Sequence, residues 1–341
     1  MHKIITIMGL ILLGLLMIII GGWGTLAIVY AESYNEMLRY GFAIGFGLAS
    51  LSSVILLWSR RLRWRALSAY SLLFMLLLLW YGTITPSNDR QWQEDVALLP
   101  YTTQKDNLIT VYNIRNFDYR SETDYTPAYY DKTFDLDKLE GVDIISVYWM
   151  GPAVAHVFLS FAFAGDEHLA VSIETRKEKG ESYSALKGFF RQYELYYVVA
   201  DERDVIRLRT NYRLDPPEDV YVYPTSGTIG DARRLFLAYI EKINALKNTP
   251  EFYNTLTTNC TTTIWLNAHV NTDRIPLSWK ILASGYVPEY LYENGRLHAG
   301  ELSFSQLRES VHINERAHEA GMAEDFSYRI RKHPDTTVPT N

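Results

Sequence analysis

The sequence predicts an α+β chain: three N-terminal transmembrane helices, then an extracytoplasmic domain built on an antiparallel sheet and a cysteine-bearing helix. Three observations lead there. Residues 4–30, 40–59 and 66–85 carry no charged side chain, and each approaches or exceeds the ~20 apolar residues that cross a bilayer. Residues 154–176 read as two alternating strands joined by a polar turn. Residues 252–265 run from a polar, turn-forming segment through the only cysteine into apolar positions at helical spacing.

The first stretch has a second reading, a cleaved signal peptide. Its apolar run exceeds the ~7–15 residues of such a region, and further spans follow. The span 40–59 is rich in Gly, Ala and Ser, which suits close helix packing. The loop between the second and third spans holds Arg60, Arg61, Arg63 and Arg65, whereas the loop 31–39 holds Glu32, Glu36 and one arginine. The positive-inside rule then puts the N-terminus and the arginine loop in the cytoplasm, and everything after the third span outside it. Trp58, Trp64, Trp80 and Tyr81 fit an interfacial aromatic belt. The expected division is a membrane part, 1–88, and one extracytoplasmic part, 89–341.

In the second part, residues 91–100 read as a juxtamembrane linker or short helix. Residues 108–114, 142–149, 154–163, 169–176, 194–200, 205–210 and 220–224 read as strands. Residues 115–137 show no clear period and read as an ordered loop, and 185–193 as a helix. Residues 229–246 are an amphipathic helix ended by Thr249-Pro250. Short helices fill 281–331, and the tail after 333 is expected to be loose. Alternation in 205–210 puts Arg207 and Arg209 on one face, either solvated or contacting a carboxylate or phosphate.

Cys260 carries the chemistry. With Thr258 or Asn259 as N-cap, its thiol faces the unpaired N–H groups and positive end of a helix, both of which favour thiolate. A buried cysteine acting as a small hydrophobe is the other reading. Along 154–176, Val157, Leu159, Phe161 and Phe163 share one strand face with Leu169, Val171 and Ile173. The opposite face carries His156, Ser160 and Ala162 with Ala170, Ser172, Glu174 and Arg176. Its small residues would admit the Cys260 helix. The pattern suggests Cys260 as nucleophile and His156 as base, with Glu174, or secondarily Ser172, orienting the imidazole. A hydrogen-bonded structural histidine is the alternative for His156. His168 lies at the hairpin tip, and His269, nine residues past Cys260, points away from it. One cysteine and scattered histidines supply no zinc spacing, no cofactor is called for, and a net charge of −6 without a basic run gives no nucleic-acid footprint.

Residues 155–161, 172–177, 193–195, 200–204, 209–211 and 253–261 together resemble the Lnb N-terminal periplasmic domain family, with similarity over about 111–331. The resemblance implies a bacterial inner-membrane protein with a periplasmic domain, and a link to lipoprotein N-acylation. The family's His and Cys motifs match His156 and Cys260. The order His then Cys also resembles circularly permuted papain-like folds, NlpC-like and lecithin:retinol acyltransferase-type, although such acyltransferases often use a second histidine. The implied reaction moves an acyl chain from a phospholipid donor to the N-terminal amine of a lipoprotein acceptor through a Cys260 thioester. The Cys260 N–H would be one oxyanion donor, and Asn254, Asn259 or Tyr148 another, with Arg176 facing substrate. A cell-wall cysteine peptidase or amidase, and a non-enzymatic envelope scaffold, are the alternatives. The oligomeric state is left open.

Overall fold

The computed structural model describes residues 2–31, 35–272 and 274–332; the tail expected to be loose lies outside them. The chain divides into two compact units, Met1–Ser87 with Tyr183–Glu194, and Asn88–Ser182 with Leu195–Asn341.

The first unit holds α1 (His2–Tyr30), α2 (Glu36–Leu56) and α3 (Arg63–Gly82), each long and apolar enough to cross a membrane. Small residues set their packing. At Gly24 a Cβ would run into Leu77 and Phe46 at 2.6 Å, and at Gly21 it would touch Ser50. The Tyr70 hydroxyl, buried among apolar side chains, donates to the Met17 carbonyl at 2.9 Å, as a phenol in that setting requires. The segment 183–194 joins this unit, although it is distant from the helices in sequence. Phe190 packs against Trp23 and Tyr30. Arg191 donates to the carbonyls of Tyr81 at 2.6 Å and Ile84 at 2.8 Å, where a helix end leaves carbonyls unpaired. The helix read over 185–193 shrinks to a 3-10 turn, Lys187–Phe189, because these side chains pack outward on α1 and α3.

The second unit is built on one sheet. Its strands are β1 (Tyr101–Lys105), β2 (Leu108–Arg115), β5 (Tyr129–Asp135), β6 (Leu139–Tyr148), β7 (Ala155–Phe163), β8 (Glu167–Arg176), β9 (Glu194–Ala200) and β10 (Asp219–Pro224), with β3 (Asp118–Tyr119) and β4 (Tyr125–Thr126) as a separate ribbon. The order is β1-β2-β9-β8-β7-β6-β10, with β5 on β2. Pairing is antiparallel along β6–β7–β8, and parallel at β2–β9. The region 115–137 is therefore not a loop: Thr110 and Thr133 pair across β2 and β5. Its many tyrosines and charges hide the alternation.

Helices cover both faces: α4 (Glu202–Arg207), α5 (Ile229–Asn248), α6 (Cys260–Asn267), then α7 (Trp279–Leu282), α8 (Val287–Glu293), α9 (Phe304–Ser310), α10 (Asn314–Ala320) and α11 (Phe326–Arg331). On one face Phe161 and Phe163 meet Phe236 of α5, edge to face. On the other, Ile145, Val147, Phe158 and Ala170 pack with Val205 and Ile206 of α4, Ala317 of α10 and Phe326 and Ile330 of α11. That second face is the one with small and polar residues, and these helices cover its centre, leaving His156, Ala162 and Glu174 half-buried.

The strand read over 205–210 is instead α4 followed by a π-helical turn, Leu208–Tyr212. Asp201 caps α4 by accepting from the Arg203 N–H. Two carboxylates of its first turns are drawn into buried ion pairs. Asp204 takes Arg115 at 2.8 Å, and Glu202 takes Arg331 of α11 at 2.6 Å with the Ser160 hydroxyl beside it. Burial demands such partners, and no alternation rule encodes them.

Candidate active site

Cys260 is the first residue of α6 and is half-buried. The polar run before it folds into two nested caps. The Asn254 side-chain oxygen accepts from the Leu256 and Thr257 N–H groups, both at 3.0 Å, and its carbonyl accepts from Thr258 N–H. Asn259 is the N-cap of α6: its Oδ1 accepts from Thr262 N–H at 2.8 Å, and Thr262 Oγ1 accepts from Asn259 N–H in return. Asn259 Nδ2 donates to the Thr255 carbonyl at 2.7 Å. This reciprocal cap fixes where the helix starts and so where the sulfur sits.

His156 lies near the start of β7. The pairing of β7 with β8 runs from Phe163↔Glu167 to Leu159↔Val171, and the same count carried on sets His156 across from Glu174. His156 Nε2 stands 2.6 Å from Ser172 Oγ and 3.0 Å from Glu174 Oε1. Ser172 donates its hydroxyl to Glu174 at 2.8 Å. A serine has one proton to give, so toward His156 its oxygen accepts, and Nε2 carries a hydrogen. Nδ1 is then the nitrogen left to exchange a proton with the thiol. Arg209 Nη2 donates to Glu174 Oε1 at 2.9 Å, and its Nη1 lies 3.6 Å from Glu218.

These contacts set the charges. Burial opposes the imidazolium of His156, but the Glu174 carboxylate outweighs it despite opposition from Arg209, and with the Cys260 hydrogen bond the His156 pKa rises to about 9. Burial would raise the Cys260 thiol; the hydrogen bond and charge of His156, with the Val157 N–H, bring it below its ordinary value. Burial also opposes ionised Glu174, yet His156, Arg209 and Ser172 hold it well below the usual carboxylate range. Together these contacts shift the group toward thiolate, imidazolium and carboxylate.

The route by which α6 reaches His156 differs from the sequence reading. That reading set α6 on the small-residue face with His156. Instead Ile264 and Trp265 of α6 share a cavity wall with Val157 and Leu159, which belong to the opposite, apolar face. The small-residue face is already occupied by α4, α10 and α11. Among the described residues no β7–β8 pair forms beyond Leu159↔Val171. There the Val157 N–H turns to the sulfur, and the thiol meets the imidazole at the open end of the ladder.

Four expected substrate-facing groups are engaged elsewhere. The Tyr148 hydroxyl donates to the Gly285 carbonyl at 2.6 Å. Arg176 is buried, donating to the carbonyls of Val96 and Ala97 and to Asn88 Oδ1, with its guanidinium over the Trp92 ring. Asn254 and Asn259 shape the turn and the cap, as above. The guanidinium at the site is Arg209, brought there by the π-helical turn. A contact of Arg209 with a carboxylate was one of its two sequence readings; that the carboxylate is Glu174 was not, because the pairing needs the helical conformation of 208–212. Of the other histidines, His168 Nδ1 faces the Asp166 carbonyl and His269 Nδ1 the Trp265 carbonyl. Among the described residues no group of three His, Cys, Asp or Glu could hold a metal ion.

A family model described as the Lnb N-terminal periplasmic domain matches residues 125–285, a segment that includes His156, Ser172, Glu174, Arg209 and Cys260. No curated protein and no solved structure matches the chain.

Proposed function

The chain belongs, through residues 125–285, to the Lnb N-terminal periplasmic domain family, and from that premise we propose that this membrane protein with a periplasmic domain is a cysteine acyltransferase. It would move a fatty acyl chain from a phospholipid to the N-terminal amine of a lipoprotein. The observation that carries this reading is the Cys260–His156–Glu174 constellation, with Ser172 and Arg209 behind it.

The Cys260 thiolate attacks the ester carbonyl of the phospholipid. A C–S bond forms, the ester C–O bond breaks, and the His156 imidazolium gives its proton to the departing alkoxide, leaving a lysophospholipid and a thioester. The acceptor amine then attacks the thioester. His156 takes the amine proton, the amide bond forms, and the C–S bond breaks to restore thiolate and imidazolium. Glu174 stays ionised and steadies the imidazolium throughout. The Cys260 and Thr261 N–H groups, left over by the Asn259 cap, are the oxyanion donors. Anchoring by α1–α3, with the N-terminus and the Arg60–Arg65 loop in the cytoplasm of a bacterial inner membrane, would confine the domain to the surface that carries both lipid-bearing substrates.

The test is intact-protein mass spectrometry after incubation with a defined phospholipid. An acyl mass on the wild type, absent in Cys260→Ala and discharged by a lipopeptide with a free N-terminal amine, is the expected result. Cleavage of cell-wall peptides with no adduct from lipid would replace transfer with hydrolysis. Full complementation by both Cys260→Ala and His156→Ala would leave a scaffold.

A further inference from the structure

An apolar cavity of about 170 Å³ lies between α5, α6 and the sheet, with Val157, Leu159, Ala232, Leu235, Ile264 and Ala268 on its wall. Thr261, the neighbour of Cys260, also lines it. Val157 is both a wall residue and the neighbour of His156. The cavity therefore begins one residue away from each member of the pair. We infer that this cavity is the acyl-chain pocket, which seats the first part of the hydrocarbon chain while its carbonyl is bound to Cys260. The inference rests on the acyl-transfer reading and adds to it where the chain goes.

The lining and the size decide the ligand class. An apolar cavity of ~150 Å³ stays dry and takes up a six-carbon ring. This one is of that order, so it accommodates about six carbons of a straight chain, and the remainder extends outside. Asp231, Arg274 and Arg296 also line the cavity. A peptide backbone, with an N–H and a C=O in every residue, gains nothing from such a wall.

The test uses the full chain in lipid nanodiscs and n-alkyl methanethiosulfonates from methyl to octyl. The Cys260 thiolate attacks the reagent's alkyl-bearing sulfur, forming a mixed disulfide and releasing methanesulfinate. In the wild type the second-order rate should climb about threefold per methylene, somewhat below full burial of each group, and level off near six carbons. Ala232→Phe and Ala268→Phe should keep the methyl rate and lose the climb. Ala232→Val and Ala268→Val, milder fillings, should level off at shorter chains, and they decide the matter where the phenylalanine forms do not fold. A wild-type rate indifferent to chain length, or a climb unchanged in the filled variants, overturns the pocket. A climb without any phospholipid-derived adduct on Cys260 keeps the pocket and removes acyl transfer; an adduct with a flat series does the reverse.

Discussion

The Ser172 hydroxyl donates a hydrogen bond to Glu174 at 2.8 Å while its oxygen lies 2.6 Å from His156 Nε2. The serine thus decides which nitrogen of the histidine faces the sulfur. Ser172→Ala removes that decision and leaves only the 3.0 Å contact of Nε2 with Glu174. Thiol alkylation by iodoacetamide at pH 7 should slow roughly fivefold, the worth of one ordinary hydrogen bond, and Ser172→Thr should restore it. An unchanged rate in Ser172→Ala would mean that Glu174 alone orients the ring.

Glu174→Gln removes the charge that raises His156. The alkylation midpoint of Cys260, below the ordinary thiol value in the wild type, should move up, because the imidazolium that stabilises the thiolate is no longer held. The same change leaves Arg209 with Glu218, 3.6 Å away, as its remaining carboxylate, so the stability lost should be about 2 kcal/mol, the worth of one charged hydrogen bond. Glu174→Asp, which keeps the charge, should show the smaller shift in the pH profile.

The pair also makes stability depend on pH. His156 has a folded pKa of about 9 against an ordinary 6.5, so its stabilisation is complete below ~6.5 and fades as the pH rises through about 9. Glu174 is shifted the other way, so its part is present above ~4.5 and is lost in acid. The stability difference between wild type and His156→Asn should be largest from about pH 4.5 to 6.5 and shrink toward pH 9. Denaturant melts across that range measure it. A difference that grows with alkaline pH would contradict the assignment.

Tyr148 and Asn259 separate orientation from chemistry. Tyr148→Phe deletes a hydrogen bond to Gly285 and should leave the acylation rate within about twofold while lowering stability by ~1 kcal/mol. Asn259→Ala deletes the cap of α6 and should cost ~1 kcal/mol together with the thiol's low pKa, since the first turn then frays. Acylation rates and melting curves of the two variants, side by side, distinguish these outcomes.

Gly285 packs directly against the Pro152 carbonyl; an added Cβ would overlap that oxygen and the Ala153 carbonyl carbon. Gly285 also donates to the Ala153 carbonyl, and Ser284 accepts from Ala155 N–H. Gly285→Ala should therefore push the segment before β7 away and lower both stability and acylation, with iodoacetamide reactivity and melting temperature falling together. Retention of both would show that the segment yields freely.

The hairpin β7–β8 and the start of α6 were legible because their signals are local: period-two alternation, a polar cap, one cysteine. Glu174 and Ser172 followed from strand parity alone. Arg209 was not placed correctly, since Val205-Ile206-Arg207-Leu208-Arg209 alternates like a strand and only the buried partners of Glu202 and Asp204 make it helical. The faces of the sheet were misjudged for a related reason. Ser160 and Ala162 are small enough to admit a helix, as expected, but the helices that pack on that face are α4, α10 and α11, not α6. Tyr148 and Arg176 have the right chemistry for a substrate contact, but long-range backbone carbonyls engage them first.

The open end of the β7–β8 ladder has a consequence for how the molecule can change. The cavity wall of Val157 and Leu159 belongs to one face of β7, while Glu174 and Arg209 meet His156 on the other. On the proposed reading, replacements around Leu159 and Ala232 would alter chain preference, and replacements at Arg209 would alter the charge balance around His156. The two sets of replacements would then act on different faces of the same strand.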